Sequence, residues 1–156
     1  MKRFLVLIVL LSCLILTSSS FAQWTMTNGP IGGFVDRITG NNEGLFIVAG
    51  NGNTYFRKYS DDRWTLLCST GLNQITGAYI QDSTFYISTF YSGIWKSNDY
   101  GYTWQKIPRT VVSDTVWSIC GDDSTILAGT FQKGLFVSND NGETWNRNRA
   151  GGIYLV

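Results

Sequence analysis

Few side chains in this sequence can take part in acid–base or nucleophilic chemistry. The 156 residues contain no histidine, so Ser-His-Asp triads, Cys-His pairs and zinc sites with histidine ligands cannot form within the chain. The only glutamates are Glu43 and Glu143, and Arg37 falls on a segment expected to face a channel, without a partner that the sequence identifies. We therefore predict neither catalysis nor a cofactor for this chain.

The most regular polar pattern is an octet that occurs twice, as SNDYGYTW at 97–104 and as SNDNGETW at 138–145. Its Asp can accept hydrogen bonds from backbone N–H groups two or three residues on, and its Gly makes a positive φ inexpensive. Its hydroxyl groups can bond across a hairpin, and its Trp can bury a large ring. A structural role, without a substrate, is therefore predicted for Ser97, Asp99, Gly101, Thr103, Trp104, Ser138, Asp140, Gly142, Thr144 and Trp145.

A calcium loop is the weaker interpretation of the second octet. Asn139 to Glu143 offers oxygen ligands, but an EF-hand loop needs further acidic ligands, including a Glu at its twelfth position. The sequence lacks these residues. No metal site is predicted.

Four tryptophans indicate an internal repeat that spans most of the chain. Trp24, Trp64, Trp104 and Trp145 recur at a nearly constant interval. A period of about 40 residues is typical of propellers and solenoids. Each unit contains short runs of apolar and β-branched residues separated by turns rich in Gly and Asp, which predicts four strands per unit.

Four strands in each unit of this length favour a β-propeller over other all-β folds. We predict an all-β propeller of four-stranded antiparallel blades, with about three blades at 34–67, 74–107 and 115–148. In the third unit, strands are expected at 115–120, at 125–131 and at 134–139, and a fourth is expected to start at Glu143. Near-continuous apolar runs such as Leu45 to Gly50 suit strands buried on both faces.

Two further segments resemble isolated strands. Residues 23–27 align with the fourth strands, and residues 152–156 read as a first strand with nothing after it. Three blades and two orphan strands do not close a ring of 4–8 blades. The chain is therefore interpreted as the N-terminal part of a longer propeller, whose missing blades follow; the alternative is a short product completed by another copy.

The N-terminus has the features of a cleaved signal peptide. Lys2 and Arg3 precede the apolar run Phe4 to Leu16, which is too short to span a bilayer, and Ser20-Phe21-Ala22 fits the A-x-A-like pattern before a cleavage site. We predict a signal peptide at 1–22 and export to the periplasm, cell surface or medium. An uncleaved anchor and a lipoprotein modified at Cys13 are the alternatives.

Removal of Lys2 and Arg3 would change the formal net charge from +1 to −1. Neither value predicts a nucleic-acid partner. Two cysteines would remain, Cys68 and Cys120, on different repeat units, and we expect them to be small buried residues rather than a disulfide.

The pattern S-x-D-x-G-x-T-W resembles the Asp-box, also called the bacterial neuraminidase repeat. Sialidases, sortilin-type receptors and photosystem assembly factors carry it on propeller hairpins, where the boxes lie at the periphery and are structural. Unit one departs from the pattern, because RKYSDDRW at 57–64 retains only Trp64. The resemblance covers about three repeats and implies a fold; it specifies no function. Separately, Val116 to Ile119 and Ala128 to Phe136 resemble blades of two-component-regulator sensor propellers.

Three functions are consistent with this resemblance. The first is an exported binding or scaffold module for a protein or glycan, and the second is an assembly factor like those of photosystems. The third, the N-terminal part of a sialidase-like hydrolase, would require an arginine cluster and a Tyr–Glu pair, which the sequence does not show. The candidate contact residues are Asp36, Arg37, Tyr79, Asp114 and Trp117. The alternative for Tyr79 and Trp117 is packing between blades, and for the charged residues it is simple solvation.

Overall fold

The computed structural model describes Gly29 and residues 34–108 and 115–148. These residues form twelve β-strands in three four-stranded antiparallel sheets, and no helix occurs among them. The predicted all-β class with four-stranded antiparallel units is confirmed. The predicted signal peptide at 1–22, Trp24, the strands at 23–27 and 152–156, and Asp114 lie outside the described residues.

Each sheet is a meander in which consecutive strands are neighbours, and we call the three sheets blades 1, 2 and 3. Blade 1 contains β1 (Val35–Gly40), β2 (Gly44–Ala49), β3 (Asn53–Lys58) and β4 (Thr65–Ser69). Blade 2 contains β5 (Ile75–Gln81), β6 (Thr84–Thr89), β7 (Gly93–Ser97) and β8 (Gln105–Lys106). Blade 3 contains β9 (Val116–Gly121), β10 (Ile126–Thr130), β11 (Gly134–Ser138) and β12 (Asn146–Asn148).

The fourth strand of unit three is shorter than predicted. It was expected to start at Glu143, but β12 starts at Asn146. The reason is that Glu143 to Trp145 belong to the turn of the second octet, where Glu143 N–H bonds to the Asp140 carbonyl at 3.2 Å. A residue held in a turn cannot also extend the strand.

The blades stack through their sheet faces, and their first strands β1, β5 and β9 lie side by side. In β6, Phe85 and Ile87 pack towards blade 1 whereas Tyr86 packs towards blade 3. This alternation explains the near-continuous apolar runs, because a strand between two blades is buried on both faces. The core between blades 1 and 2 contains Phe46, Val48, Phe56, Leu72, Ile75, Ile80, Phe85 and Ile87. The core between blades 2 and 3 contains Tyr86, Ile94, Ile107, Val116, Ile119, Ile126, Ala128, Phe136 and Trp145.

Cys68 and Cys120 are both free thiols. Cys68 is half-buried, but Cys120 is exposed, so the prediction that both are buried is wrong for Cys120. It lies on β9, the first strand of blade 3, where exposed and buried residues are interspersed. Within the described ranges no helix is long and apolar enough to cross a membrane.

Candidate functional site

The meander topology gives the blades two distinct ends. The hairpins that join first to second and third to fourth strands lie at one end, which we call the octet end. The hairpins that join second to third strands lie at the other, together with the starts of the first strands; we call this the aromatic end. The two ends carry different chemistry.

In the first octet, both oxygens of the Asp carboxylate accept hydrogen bonds from within the hairpin. Asp99 accepts hydrogen bonds from Thr103 N–H at 2.8 Å, from the Thr103 hydroxyl at 2.6 Å and from the Ser97 hydroxyl at 2.7 Å. Ser97 Oγ in turn accepts from Gly101 N–H at 2.8 Å, and Trp104 Nε1 donates to the Gly101 carbonyl at 3.0 Å. The shortest backbone bond to the Asp99 carboxylate therefore comes from Thr103, four residues on, and Tyr102 N–H, three residues on as expected, contributes a weaker one.

The second octet repeats this geometry. Asp140 accepts from Thr144 N–H at 2.8 Å and from the Ser138 hydroxyl at 2.8 Å, and Trp145 Nε1 donates to the Gly142 carbonyl at 3.0 Å. Hydrogen bonds from Thr144 and Ser138 lower the pKa of Asp140 to about 2. A carboxylate with this many donors is held in its charged form, and its oxygens are occupied.

The first octet follows the same electrostatic pattern, since hydrogen bonds from Thr103 and Ser97 lower the pKa of Asp99. In the described part of the chain, no group of three or more Cys, Asp or Glu side chains could hold a metal ion. The geometry of the octets accounts for their serine, aspartate, threonine and tryptophan side chains without a ligand.

Unit one lacks the octet, and its turn is held differently. The Arg57 guanidinium lies 5.5 Å from the centre of the Trp64 ring, at cation–π distance. Trp64 Nε1 is buried without a hydrogen-bond partner, whereas the octet tryptophans donate to a Gly carbonyl. Loss of the Asp and Gly positions therefore leaves the ring in place but removes its polar anchor.

Each octet also packs on the preceding blade. The Trp104 ring lies 6.2 Å from that of Phe46 in blade 1, and Trp145 is buried in the core between blades 2 and 3. The Tyr86 hydroxyl donates to the Asn141 carbonyl at 2.7 Å. The octets thus lock neighbouring blades together.

The aromatic end carries a second repeated motif, Thr-Phe-x-x-Gly, at 89–93 and 130–134. Thr89 Oγ1 accepts from Ser92 N–H at 2.8 Å and donates to the Gly93 carbonyl at 3.0 Å. Thr130 makes the same pair of bonds to Lys133 N–H and the Gly134 carbonyl. Both glycines have positive φ, +73° and +77°. The Thr fixes the turn, so the following Phe is free to point away from it.

All three first strands contain a β-bulge at the equivalent position. The register shifts fall at Asp36, Thr76 and Trp117, which match one another when the three repeat units are aligned on their tryptophans. Bulges re-aim side chains and are frequent next to binding sites. In blade 3 the extra residue of the bulge is Trp117, which carries a large ring.

Trp117 joins the two Thr-Phe hairpins into one exposed group of rings. Its ring lies 5.1 Å from that of Phe90 and 6.0 Å from that of Phe131, and Phe90 lies 4.7 Å from Tyr91. Tyr91 is 67% exposed, Phe131 56% and Trp117 43%. We call these four residues the aromatic surface; it spans blades 2 and 3.

The candidate contact residues fall at both ends. Asp36 and Arg37 lie at the aromatic end with Trp117; Arg37 Nε donates to the Thr76 carbonyl in blade 2 at 2.8 Å, so it has a partner that sequence reasoning did not find. Tyr79 lies at the octet end, where its hydroxyl donates to the Asp122 carbonyl at 2.9 Å. Its ring stacks on that of Tyr86 at 6.0 Å.

Burial, followed by the charge of Asp122, raises the pKa of Tyr79, which keeps its hydroxyl protonated as a donor. Sequence reasoning missed Phe90, Tyr91 and Phe131. The repeated Thr-Phe-x-x-Gly pattern was the available signal, because a structural Thr and Gly do not require an exposed Phe between them.

Solved β-propeller structures are similar to this chain. YCF48 bound to D1 peptide has a TM-score of 0.60 at 15% identity, over 81% of this chain and 43% of that chain. The extracellular domain of BT4673 from B. thetaiotaomicron has a TM-score of 0.59 at 17% identity, over 85% and 18%. An ancestral GH74 enzyme has a TM-score of 0.59 at 15% identity, over 81% and 19%. The fold is that of a partial β-propeller.

The chain spans less than half the length of each of these structures. No protein-family profile and no curated protein matches it, so the resemblance to Asp-box proteins remains a prediction. Identities this low support the fold alone.

Proposed function

We propose that this chain is an exported, non-catalytic binding module that contacts a protein through its aromatic end. The observation that carries the proposal is the aromatic surface, in which rings from two blades are held together yet exposed. Trp and Tyr are over-represented among the residues that dominate binding energy at protein interfaces. Covering rings that are exposed to water in the free chain is favourable, because it buries apolar surface.

The aromatic surface is prearranged for binding. The Thr89 and Thr130 hydroxyl groups fix both hairpins, and the bulge at Trp117 aims the third ring. Prearranged side chains lose less conformational entropy when they bind. A protein segment is the preferred ligand because YCF48, a propeller of similar fold, has been solved with a peptide bound. A glycan is the alternative.

A role as an assembly factor is a special case of protein binding and fits the same surface. A sialidase-like hydrolase is less well supported. Arg37 lies at the aromatic end with its Nε bound to the backbone of blade 2, whereas Glu43 and Glu143 both lie at the octet end. We propose no catalytic role, although the fold also occurs in an enzyme.

Export rests on the predicted signal peptide. Extracellular propellers of similar fold, such as that of BT4673, are consistent with it. Determining the N-terminal residue of the protein recovered from the producing cells tests this part of the proposal, and we expect Gln23.

Binding is tested by selecting peptides from a random phage-displayed library on the purified chain. The Kd of an enriched peptide is then measured by fluorescence anisotropy. We expect Trp117→Ala to raise this Kd at least about tenfold, because the ring that contacts both Phe90 and Phe131 is lost. A tenfold change corresponds to about 1.4 kcal/mol of binding free energy. Phe131→Ser should have a similar effect, and it keeps the test valid if Trp117→Ala does not fold.

Tyr102→Ala is the matched control, because Tyr102 is as exposed as Phe131 but lies at the octet end. It should leave the Kd unchanged. The proposal is overturned if no peptide is enriched, or if the Trp117 and Phe131 variants bind the peptide as well as the original chain. If no peptide is enriched and binding to a glycan array is lost in Trp117→Ala but kept in Tyr102→Ala, the glycan alternative is favoured and the protein ligand is refuted.

A further inference from the structure

A second candidate site lies at the octet end, between blade 1 and the first octet. It is a pocket of about 380 Å³, near the lower limit of small-molecule sites. The lining residues are Glu43, Phe56, Lys58, Asp61, Thr65, Leu67, Tyr100 and Tyr102. We call it the tyrosine pocket.

The repeat shows why space opens here. When the units are aligned, Phe56 in blade 1 corresponds to Lys96 in blade 2, and Tyr102 in the first octet corresponds to Glu143 in the second. Between blades 2 and 3, Lys96 Nζ and Glu143 Oε1 form an ion pair at 2.5 Å. The equivalent pair between blades 1 and 2 is Phe56 and Tyr102, which cannot form such a link.

The walls of the pocket are fixed in place. Tyr102 N–H bonds to the Asp99 carbonyl at 3.3 Å within the octet turn. Tyr100 has a φ of +57°, a conformation that Asn tolerates better than Tyr; the second octet has Asn141 there. A Tyr in this position carries a backbone cost, and its ring packs edge-on against that of Phe85 at 6.2 Å, which fixes this wall of the pocket.

The charged side chains at the pocket make few or no hydrogen bonds to other described residues. The Asn41 side chain accepts from the N–H of Glu43 at 2.9 Å and so braces its hairpin. Within residues 34–108 and 115–148, no hydrogen bond or ion pair engages the side chain of Glu43 or Lys58. Asp61 accepts from the neighbouring Ser60 hydroxyl at 3.0 Å through one of its two oxygens.

This combination selects among ligand types. Two carboxylates oppose an anion such as a phosphate, and among the described residues no group of three or more Cys, Asp or Glu side chains could hold a metal ion. A lipid chain would cover these charges without pairing them, which is costly. A neutral sugar has a C–H face for the tyrosine rings, and its hydroxyl groups can donate to carboxylates and accept from Lys58.

We infer that the tyrosine pocket binds a neutral mono- or disaccharide, independently of the aromatic surface. The site differs from the proposed protein-binding face in both position and ligand. Its two tyrosines provide the stacking surface, and Glu43, Asp61 and Lys58 provide the hydrogen bonds.

The test is saturation-transfer-difference NMR on the full chain. The probes are methyl α-D-mannopyranoside, methyl β-D-galactopyranoside, methyl N-acetyl-β-D-glucosaminide and cellobiose. We expect saturation transfer to at least one sugar, with the strongest signals on ring C–H protons that contact tyrosine. Tyr102→Ala should weaken the Kd at least about tenfold, and Glu43→Gln should weaken it less.

Tyr91→Ala is the matched control, because it removes a comparably exposed tyrosine from the aromatic surface, and it should leave the Kd unchanged. Thermal unfolding of each variant verifies that it is folded; if Tyr102→Ala is not, Glu43→Gln with Lys58→Met, which removes hydrogen-bonding groups of the pocket, takes its place. The inference is overturned if no sugar of the panel shows saturation transfer, or if the transfer persists undiminished in the folded pocket variants.

Discussion

The two contacts between blades use the same backbone repeat but different side-chain chemistry. Between blades 2 and 3, the buried Tyr86 donates to the Asn141 carbonyl and Lys96 pairs with Glu143. Between blades 1 and 2, the residue equivalent to Tyr86 is Phe46, which packs edge-on against Phe85 at 4.8 Å. Both contacts also carry hydrogen bonds to backbone carbonyls, such as the one from Arg37 Nε to Thr76. Where the octets pack on the preceding blade, however, one contact is cross-linked by polar side chains and the other is apolar and opens into a pocket. The repeat therefore fixes the positions at which the blades meet, whereas the side chains at those positions differ from one contact to the next.

The largest expected effect comes from the octet tryptophans. Trp145→Ala should lower the free energy of unfolding by about 3–5 kcal/mol, because the ring is buried and a cavity remains. Trp104→Ala should cost less, since Trp104 is only half-buried. Urea denaturation of both variants measures the difference. Equal losses of stability would mean that the two contacts are equally well packed, which would contradict the difference described between them.

The octet glycines come next. Gly142→Ala should lower the free energy of unfolding by about 1–3 kcal/mol, because its φ is +77° and a Cβ would lie 3.0 Å from Tyr86 Cε1. Gly134→Ala is the control: its φ is also +77°, but nothing lies within 4 Å of a Cβ there. The excess loss at position 142 measures the packing of the octet on blade 2. If both variants lose the same, conformation alone explains the glycine.

The hydrogen bond that distinguishes the two contacts can be removed directly. Tyr86→Phe should lower the free energy of unfolding by about 1 kcal/mol, because the Asn141 carbonyl loses its donor. Burial, the main cause, raises the pKa of Tyr86, so its hydroxyl remains a donor at any ordinary pH. Tyr79→Phe is a useful control, because the hydrogen bond from Tyr79 to the Asp122 carbonyl is more exposed than that from Tyr86 and its loss should cost less. An unchanged stability in Tyr86→Phe would show that the bond does not join the blades.

The smallest expected effect is a dependence on acid. Asp140 has a folded-state pKa of about 2, below the value near 3.9 of an unfolded Asp. Its contribution to stability is therefore fully present above about pH 4 and is lost as the pH falls through about 2. Melting temperatures measured from pH 4.5 down to about pH 2 should fall less steeply in Asp140→Asn. Parallel curves for the two proteins would exclude this origin.

The sequence predicted the features that depend on local patterns. The regular recurrence of the tryptophans indicated the four-stranded units, and the Asp and Gly of the octets indicated tight turns. The hydrogen bond from Tyr86 to Asn141 joins residues 55 positions apart, so it depends on how the blades stack. Trp117 was named as a contact residue, but its exposure follows from a bulge, and the register that creates a bulge cannot be read from one strand alone. The tyrosine pocket could not be predicted from the sequence either, because its walls belong to different blades and it depends on how the blades stack.

The bulges at Asp36, Thr76 and Trp117 have a consequence for how such a chain can change. The extra residue of a bulge lies outside the regular pairing of the ladder, so its backbone has no paired residue on the neighbouring strand. In blade 2 the side chain of this residue is nevertheless fixed, because the Thr76 hydroxyl bonds to the Ser88 hydroxyl at 3.0 Å and donates to the Val116 carbonyl of blade 3 at 2.6 Å. An acid, a hydroxyl and an indole occupy the three positions here without altering the surrounding pairing. Blades 1 and 3 thus each offer one interchangeable position at the aromatic end, where new ligand preferences can be acquired one substitution at a time while the framework is preserved.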